Sequence, residues 1–305
     1  MNTKILIFGS KGLVGSSTFN LLKKSNYLVV ASSRSDTNLF NIEEVIKKIR
    51  TESPDIIINA AAKVGGIVAN NTYRSQFLIE NLKINLNILE SCIPYQDIKI
   101  INLGSSCIYP LNAKNPISED SFMSGKLERT NSPYAMAKLS AIELGRALHL
   151  QYGHKVINLM PTNLYGPNDN FHKENSHVIP GLIARMHESK LNKSPFFNIW
   201  GTGKPKREFL YVEDLSNAIK FIIEKNINDD LLNVGSGEEI SIFKLAKMLK
   251  SIIKYEGELQ FDSTKPDGNP RKFLNSTKIF NYGWKPQVNL ENGLEKTYNW
   301  YLKNF

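Results

Sequence analysis

Cysteine is nearly absent from this sequence: Cys92 and Cys107 are the only two among 305 residues. Two thiols cannot build a disulfide framework, and such sparing use fits a reducing compartment. No apolar run approaches the ~18 residues that a membrane span needs. The opening stretch, Met1-Asn2-Thr3-Lys4-Ile5-Leu6-Ile7-Phe8-Gly9, lacks the basic segment, long apolar segment and cleavage site of a secretory leader. A cytoplasmic protein without membrane contact is therefore expected. The 19 Gly and 13 Pro follow no period, which excludes collagen-like and low-complexity structure, and 41% hydrophobic residues argue against disorder.

Clustered charge is missing too. Thirty-eight Lys+Arg against 29 Asp+Glu leave a formal charge of +9. The basic residues are spread along the chain, in nothing longer than pairs such as Lys23-Lys24 and Lys47-Lys48. Nucleic-acid surfaces concentrate their charge. No nucleic acid partner is expected, nor a metal ion; the excess reads as a solvated face with a few phosphate contacts.

What is present is alternation. Apolar strand-like runs (Lys4–Phe8, Leu28–Ala31, Asp55–Asn59, Ile98–Leu103, Lys155–Pro161) are separated by helical spacing over Ser16–Lys24, Ile42–Arg50, Ser75–Ile93 and Ser132–Tyr152. That order predicts a parallel sheet covered on both faces. Beyond residue 165 the pattern breaks into Pro/Gly/Asn-rich stretches with short helices at Ile179–Glu188, Val212–Glu224, Ile242–Lys254 and Leu290–Lys303. The expected division is a nucleotide-binding domain over residues 1–165 and a mainly substrate-binding lobe over 166–305, with later segments returning to the sheet.

Gly9-Ser10-Lys11-Gly12-Leu13-Val14-Gly15 follows the first strand and opens a helix. Glycines there permit a tight turn and let backbone N–H groups approach a pyrophosphate at the positive helix end. At the end of the second strand, where an NAD site carries an acid, the chain reads Ser32-Ser33-Arg34. An arginine suits a 2′-phosphate through paired donors, and Lys11 could assist. NADP(H) is the expected cofactor.

Tyr134-Ala135-Met136-Ala137-Lys138 stacks a phenol and an ammonium on one helix face. A free phenol titrates near 10, too high for work at neutral pH, and a neighbouring lysine favours its ionised form. Gly104-Ser105-Ser106-Cys107 follows a later strand, at the end where such sheets bind ligands. Glycine loop, serine and Tyr-x-x-x-Lys in that order resemble the extended short-chain dehydrogenases/reductases.

Longer stretches narrow the resemblance. Ala60–Ile67, Gly104–Pro110, Pro161–Pro167, Asn175–Pro180 and Lys265–Lys272 are similar to the GDP-L-fucose synthase family, from the first strand to the last helix. The resemblance implies an α/β fold with a Rossmann-type doubly wound parallel sheet and a smaller α/β lobe. It also implies a homodimer joined through a four-helix interface formed by Ser75–Ile93 and Ser132–Tyr152. The implied reaction is 3,5-epimerisation and NADPH-dependent 4-keto reduction of a GDP-linked 4-keto-6-deoxy sugar. Tyr134 would protonate the C4 oxygen, Ser105 would hydrogen-bond it, and Lys138 would also hold the nicotinamide ribose. Cys107 and His177 would be base and acid for epimerisation, one on each face of the inverted carbon. Cofactor contacts would come from residues 9–15, Arg34, Ala61, Leu103, Gly104, Lys138, Pro161, Asn163, Leu164 and His177. Arg185, Trp200, Arg207 and Lys272 would hold the GDP-sugar. Lys11 stands where the family often has Arg, and Asn41 where a relative has Asp.

Rival chemistries leave marks that are missing here. A dehydratase carries acids directly after its active-site hydroxyl residue, where this chain has Ser106 and Cys107. A 4-epimerase keeps its NAD bound and needs no Cys/His pair. A 4-reductase of a GDP-4-keto-6-deoxy-heptose could use the whole scaffold and stays open, whereas a silent NADPH-binding protein has no use for Ser105, Tyr134 and Lys138.

Overall fold

The computed structural model describes residues 3–172, 176–265 and 267–305. Asn175 and Pro266, each in a motif quoted above, lie outside the described residues. The chain begins with β1 (Lys4–Phe8), α1 (Leu13–Lys23), β2 (Leu28–Ser32), α2 (Ile42–Glu52) and β3 (Ile56–Asn59). Two helices follow, α3 (Ile67–Thr72) and α4 (Arg74–Ser91), then β4 (Lys99–Leu103), α5 (Ser132–Tyr152) and β5 (Val156–Pro161). The second half holds β6 (Asn163–Tyr165), α6 (Val178–Leu191), β7 (Phe196–Trp200), β8 (Lys206–Tyr211), α7 (Val212–Glu224) and β9 (Leu231–Val234). It closes with β10 (Glu239–Ser241), α8 (Ile242–Ile253), β11 (Glu258–Asp262), β12 (Arg271–Lys272), α9 (Thr277–Asn281) and α10 (Leu290–Asn304).

Six strands form a parallel sheet in the order β2-β1-β3-β4-β5-β9. Their near-continuous Ile/Leu/Val content is what a sheet buried on both faces requires. Ile5, Ile7, Ile58, Ile101 and Leu159 pack towards α7 on one face, and Leu6, Phe8, Ile57 and Ile100 pack towards α2, α4 and α5 on the other. Strand order reverses beside β1, so the loops after β1 and β3 diverge and leave a crevice at the carboxyl edge.

Polar residues interrupt this core in one place. Asn59, Asn102 and Asn158 face one another in register on β3, β4 and β5, all buried. Asn59 Nδ2 donates to Asn102 Oδ1 at 2.9 Å and to Asn85 Oδ1 of α4 at 3.0 Å; Asn102 Nδ2 donates to Asn158 Oδ1 at 3.0 Å. Asn158 Nδ2 ends the ladder on the Asp230 carbonyl at 3.0 Å.

A second core joins α6, α8 and α10 through Leu182, Ile183, Leu245, Leu249 and Leu294 to aromatic residues of β6, β7 and β8. There β8 pairs with β6, β10 and β12, and β7 with β11. Chain order and core membership part company here: β9 and α7, late in sequence, belong to the large sheet.

Candidate active site

Backbone geometry builds the loop after β1. Gly9 has φ +77°, and a Cβ there would stand 2.7 Å from the Ala61 backbone, so only glycine fits. A Cβ on Gly15 would run into the Gly9 carbonyl, which lets α1 start directly under the loop. The N–H groups of Gly9 and Ser10 both donate to the Ser32 carbonyl at 2.9 and 3.1 Å, tying the loop to the end of β2. Gly12 is the N-cap of α1 and offers no side-chain cap. Its first-turn N–H groups and the positive end of the helix dipole make this a place where an anion such as a pyrophosphate can be held.

Past β2, the Asp36 carboxylate accepts from the N–H and hydroxyl of Ser33 at 2.8 and 2.6 Å. Those bonds, with Lys11 and Lys48 nearby, hold Asp36 below the usual carboxylate range. The turn they close leaves Arg34 and Lys11 exposed on the same rim. Sequence reading overlooked this acid close to the expected NADP-selecting arginine; its Oδ2 takes both Ser33 donors.

The β3 loop is clamped from α4. Lys63 N donates to Asn81 Oδ1 and Asn81 Nδ2 donates to the Lys63 carbonyl, each at 3.0 Å. Lys63 Nζ pairs with Glu80 at 2.7 Å. Ala61 N is held at 3.2 Å by Asn59 Oδ1.

The chemistry gathers at the carboxyl end of β4. Leu103 and Gly104 lead into Ser105, whose Oγ caps a single 3-10 turn by accepting from Cys107 N at 3.2 Å. The Tyr134 hydroxyl faces the Ser105 side chain. Burial, reinforced by the Cys107 side chain, raises the Tyr134 phenol well above its ordinary value, and Ser105 only partly offsets this. Phe77 meets the tyrosine ring edge-on, centroids 6.3 Å apart. Lys138 is 1% exposed; its Nζ donates to the Leu103 carbonyl at 2.7 Å and lies 5.9 Å from the Tyr134 ring centroid. Burial pulls this ammonium down to about 8. Lys138 does not draw the phenol down, because burial has brought the lysine itself below the range in which the phenol titrates.

Asn131, the N-cap residue of α5, donates from Nδ2 to Cys107 Sγ at 3.3 Å. Arg207 on β8 is held down by burial and drawn back up by Asp267 and Cys107. Lys272 on β12 is its register partner, and Gly268 comes within reach of the same guanidinium. Ser105, Cys107, Tyr134, Lys138, Arg207 and Lys272 therefore occupy one neighbourhood. His177 stands on the other lobe as the N-cap of α6; its imidazole is solvent-accessible yet set among protein atoms that lower its pKa. Arg185, two turns further along α6, rests 5.5 Å over the Phe197 ring and is lowered by burial. Trp200, at the end of β7, is 57% exposed. Asn163 Nδ2 donates to the Glu208 carbonyl at 2.8 Å, fixing the segment after Pro161 that includes Leu164.

Sequence reasoning missed Asn131 and Asn81. The only signal was position: Asn131 precedes Ser132-Pro133 at a helix start, and Asn81 sits inside a helical span with no hint of its partner.

The sequence model of the NAD dependent epimerase/dehydratase family matches residues 5–235. GDP-L-fucose synthase 1 of Arabidopsis thaliana is 45% identical over 304 residues, covering 99% of this chain and 94% of its own. A solved GDP-6-OMe-4-keto-L-xylo-heptose reductase from C. jejuni superposes with a TM-score of 0.93 at 29% identity, covering 100% of this chain and 99% of the other. A GDP-L-fucose synthetase from Naegleria fowleri, solved bound to NADP, gives 0.90 at 27%, covering 100% and 95%. With a Rossmann-like sheet, a glycine cradle and the Ser–Tyr–Lys cluster in place, the chain belongs to the GDP-L-fucose synthase branch of the NAD dependent epimerase/dehydratase family.

Proposed function

We propose that this chain epimerises GDP-4-keto-6-deoxy-D-mannose at C3 and C5 and reduces its C4 ketone with NADPH, giving GDP-L-fucose. The meeting of Ser105, Tyr134 and Cys107 at one strand end, above buried Lys138, carries this reading. Residues 9–15 would cradle the pyrophosphate of NADP(H), and Arg34 its 2′-phosphate. Ala61, Leu103, Gly104, Pro161, Asn163, Leu164 and His177 would line the remainder. Bound there, NADPH supplies the hydride for C4.

C3 and C5 flank the ketone, so their protons are acidified and the enolate charge falls on the C4 oxygen. Ser105 and Tyr134 donate to that oxygen. Cys107 as thiolate takes the proton, the C–H electron pair moves into the enolate, and His177 returns a proton on the opposite face. Crowding that disfavours the imidazolium makes His177 ready to give its proton up. In the reduction Tyr134 gives its phenolic proton to the C4 oxygen. Burial keeps that phenol protonated, so the proton is in place, and the alkoxide charge at C4, more basic than a phenolate, draws it across. Arg207 and Lys272 beside Cys107, with Arg185 and Trp200, would hold the GDP moiety and sugar.

Homodimerisation through α4 and α5 is supported by apolar side chains exposed on both: Ile79 and Leu86, Met136 and Leu150. We assign residues 1–165, with β9 and α7, to cofactor binding and most of 166–305 to substrate binding. Two free thiols accord with a cytoplasmic setting; no described helix is long and apolar enough to cross a membrane.

A heptose 4-reductase is the second reading, favoured by the superposition on the C. jejuni enzyme. The deciding assay offers GDP-4-keto-6-deoxymannose and the corresponding heptose in heavy water and follows NADPH absorbance and deuterium at C3 and C5. Turnover and exchange with the hexose support the first reading; turnover of the heptose alone refutes it.

A further inference from the structure

The amide of Asn131 is half used. Its Nδ2 holds the Cys107 sulfur, while its Oδ1 is buried without a hydrogen-bond partner. Buried polar atoms are rarely left unpaired, and each exception asks for a reason. The residue is not loosely placed. Glu128 accepts from Thr130 N at 2.9 Å, from Thr130 Oγ1 at 2.6 Å and from Asn131 N at 3.1 Å. From the outer side, Arg74 of α4 donates to the carbonyls of Arg129 and Thr130 at 2.9 and 3.3 Å and to Ser132 Oγ at 3.2 Å. Two charged side chains thus fix a turn whose product is an asparagine presented to a cysteine. Helix capping does not explain it, since the Asn131 side chain makes no cap bond.

Nδ2 and Oδ1 belong to one planar group, so a free acceptor lies within one amide's width of the atom that contacts the sulfur. The two carbons flanking the ketone differ chemically: C3 bears a hydroxyl, whereas C5 bears a methyl group and the ring oxygen. Of these two carbons, only C3 carries a donor able to satisfy Oδ1 beside Cys107.

We propose that Asn131 is a positioning residue for epimerisation, its Nδ2 orienting and stabilising the Cys107 thiolate and its free Oδ1 taking the substrate's C3 hydroxyl. This rests on the function proposed above. When Cys107 removes the C3 proton, an S–H bond forms, the C–H pair passes into the enolate, and the amide donor, suited to the thiolate, is released. The donor serves proton removal at both carbons; the acceptor serves C3 alone.

Asn131→Asp and Asn131→Ala, each as full-length protein with NADPH, would be compared with the parent for deuterium entry at C3 and C5 and for hydride transfer. Asp keeps the shape and caps a helix as well as Asn does. It removes the donor and sets a carboxylate against the sulfur, so exchange at both carbons should fall at least tenfold relative to hydride transfer. Ala should slow C3 exchange about tenfold more than C5 exchange, because the acceptor is lost as well. A purely structural asparagine would leave Asp equal to the parent, and that result overturns the proposal, as does an Ala variant with an unchanged C3-to-C5 ratio. A parent that exchanges at neither carbon refutes the epimerase reading itself, a separate outcome.

Discussion

Lys138→Met should make the protein inactive and no less stable. The ammonium is 1% exposed, and burial brings its pKa from 10.5 to about 8. That lowering corresponds to about 3 kcal/mol that the folded state loses by keeping the charged form inside. The unfolded chain binds the proton more tightly than the folded one. This destabilisation is therefore complete below pH 8, fades as pH rises through the interval from 8 to 10.5, and is gone above it. Methionine has a similar length and no charge, but it strands the Leu103 carbonyl, which costs about 1–3 kcal/mol. The net at pH 7 is a gain of about 0–2 kcal/mol, or up to about 3 °C in Tm for a chain of this size. Thermal melts of parent and variant at pH 7, 9 and 10.5, without cofactor, measure it. Hydride transfer should fall at least about a hundredfold, as general-acid geometry is lost around Tyr134. A variant that melts well below the parent at pH 7, or a difference that does not move towards the parent's favour as pH rises, would refute the reasoning.

Cys107→Ser keeps the local turn but puts a far weaker base in place of the thiol, so C3 and C5 exchange should vanish while the C4 ketone is still reduced. The product is then a different GDP-6-deoxyhexose, visible by NMR; undiminished formation of GDP-L-fucose contradicts the role of Cys107. Arg34→Asp should weaken NADPH about ten- to a hundredfold and NADH far less, since only the 2′-phosphate loses its charge-assisted bonds; equal losses in a fluorescence titration would sink the assignment. Replacing Leu150, 85% exposed on α5, and Met136 with lysine should turn a dimer into monomers in sedimentation at micromolar concentration. A parent that is already monomeric rules that interface out.

Elements with strong local punctuation were legible from sequence. Helix α5 spans the expected Ser132–Tyr152, opened by Pro133 and ended by Gly153 at φ +79°, and α7 likewise spans Val212–Glu224. The first helix starts at Leu13, three positions ahead of the expected Ser16, because the apparent glycine loop is already turning under β1. Helix α3 was hidden among small residues; Asn70 Nδ2 stabilises it by bonding the Gly65 and Gly66 carbonyls, a contact no periodicity reveals. The short strands β10 and β12 owe their existence to pairing with β8 and carry little pattern of their own. In the site, Ser105, Tyr134 and Lys138 were readable because their spacing is fixed by one strand end and one helix face. The Cys107–Asn131 contact was not, because it depends on a turn organised by Glu128 and Arg74 from elsewhere in the chain.

The asparagine ladder has a consequence for how the molecule moves. A one-residue slip of β4 would set Asn102 among isoleucines and leave several buried amides unpaired, each costing about 1–3 kcal/mol. The three central strands are thus locked to one another and, through Asn85, to α4. Local openings that admit solvent must break the ladder as a unit, so the amides of β3, β4 and β5 should exchange with deuterated water together and last, at the free energy of global unfolding. Among the described residues no side chain of α6, whose N-cap is His177, joins the ladder, so exchange of the α6 amides is not tied to that of the floor beneath Ser105 and Lys138.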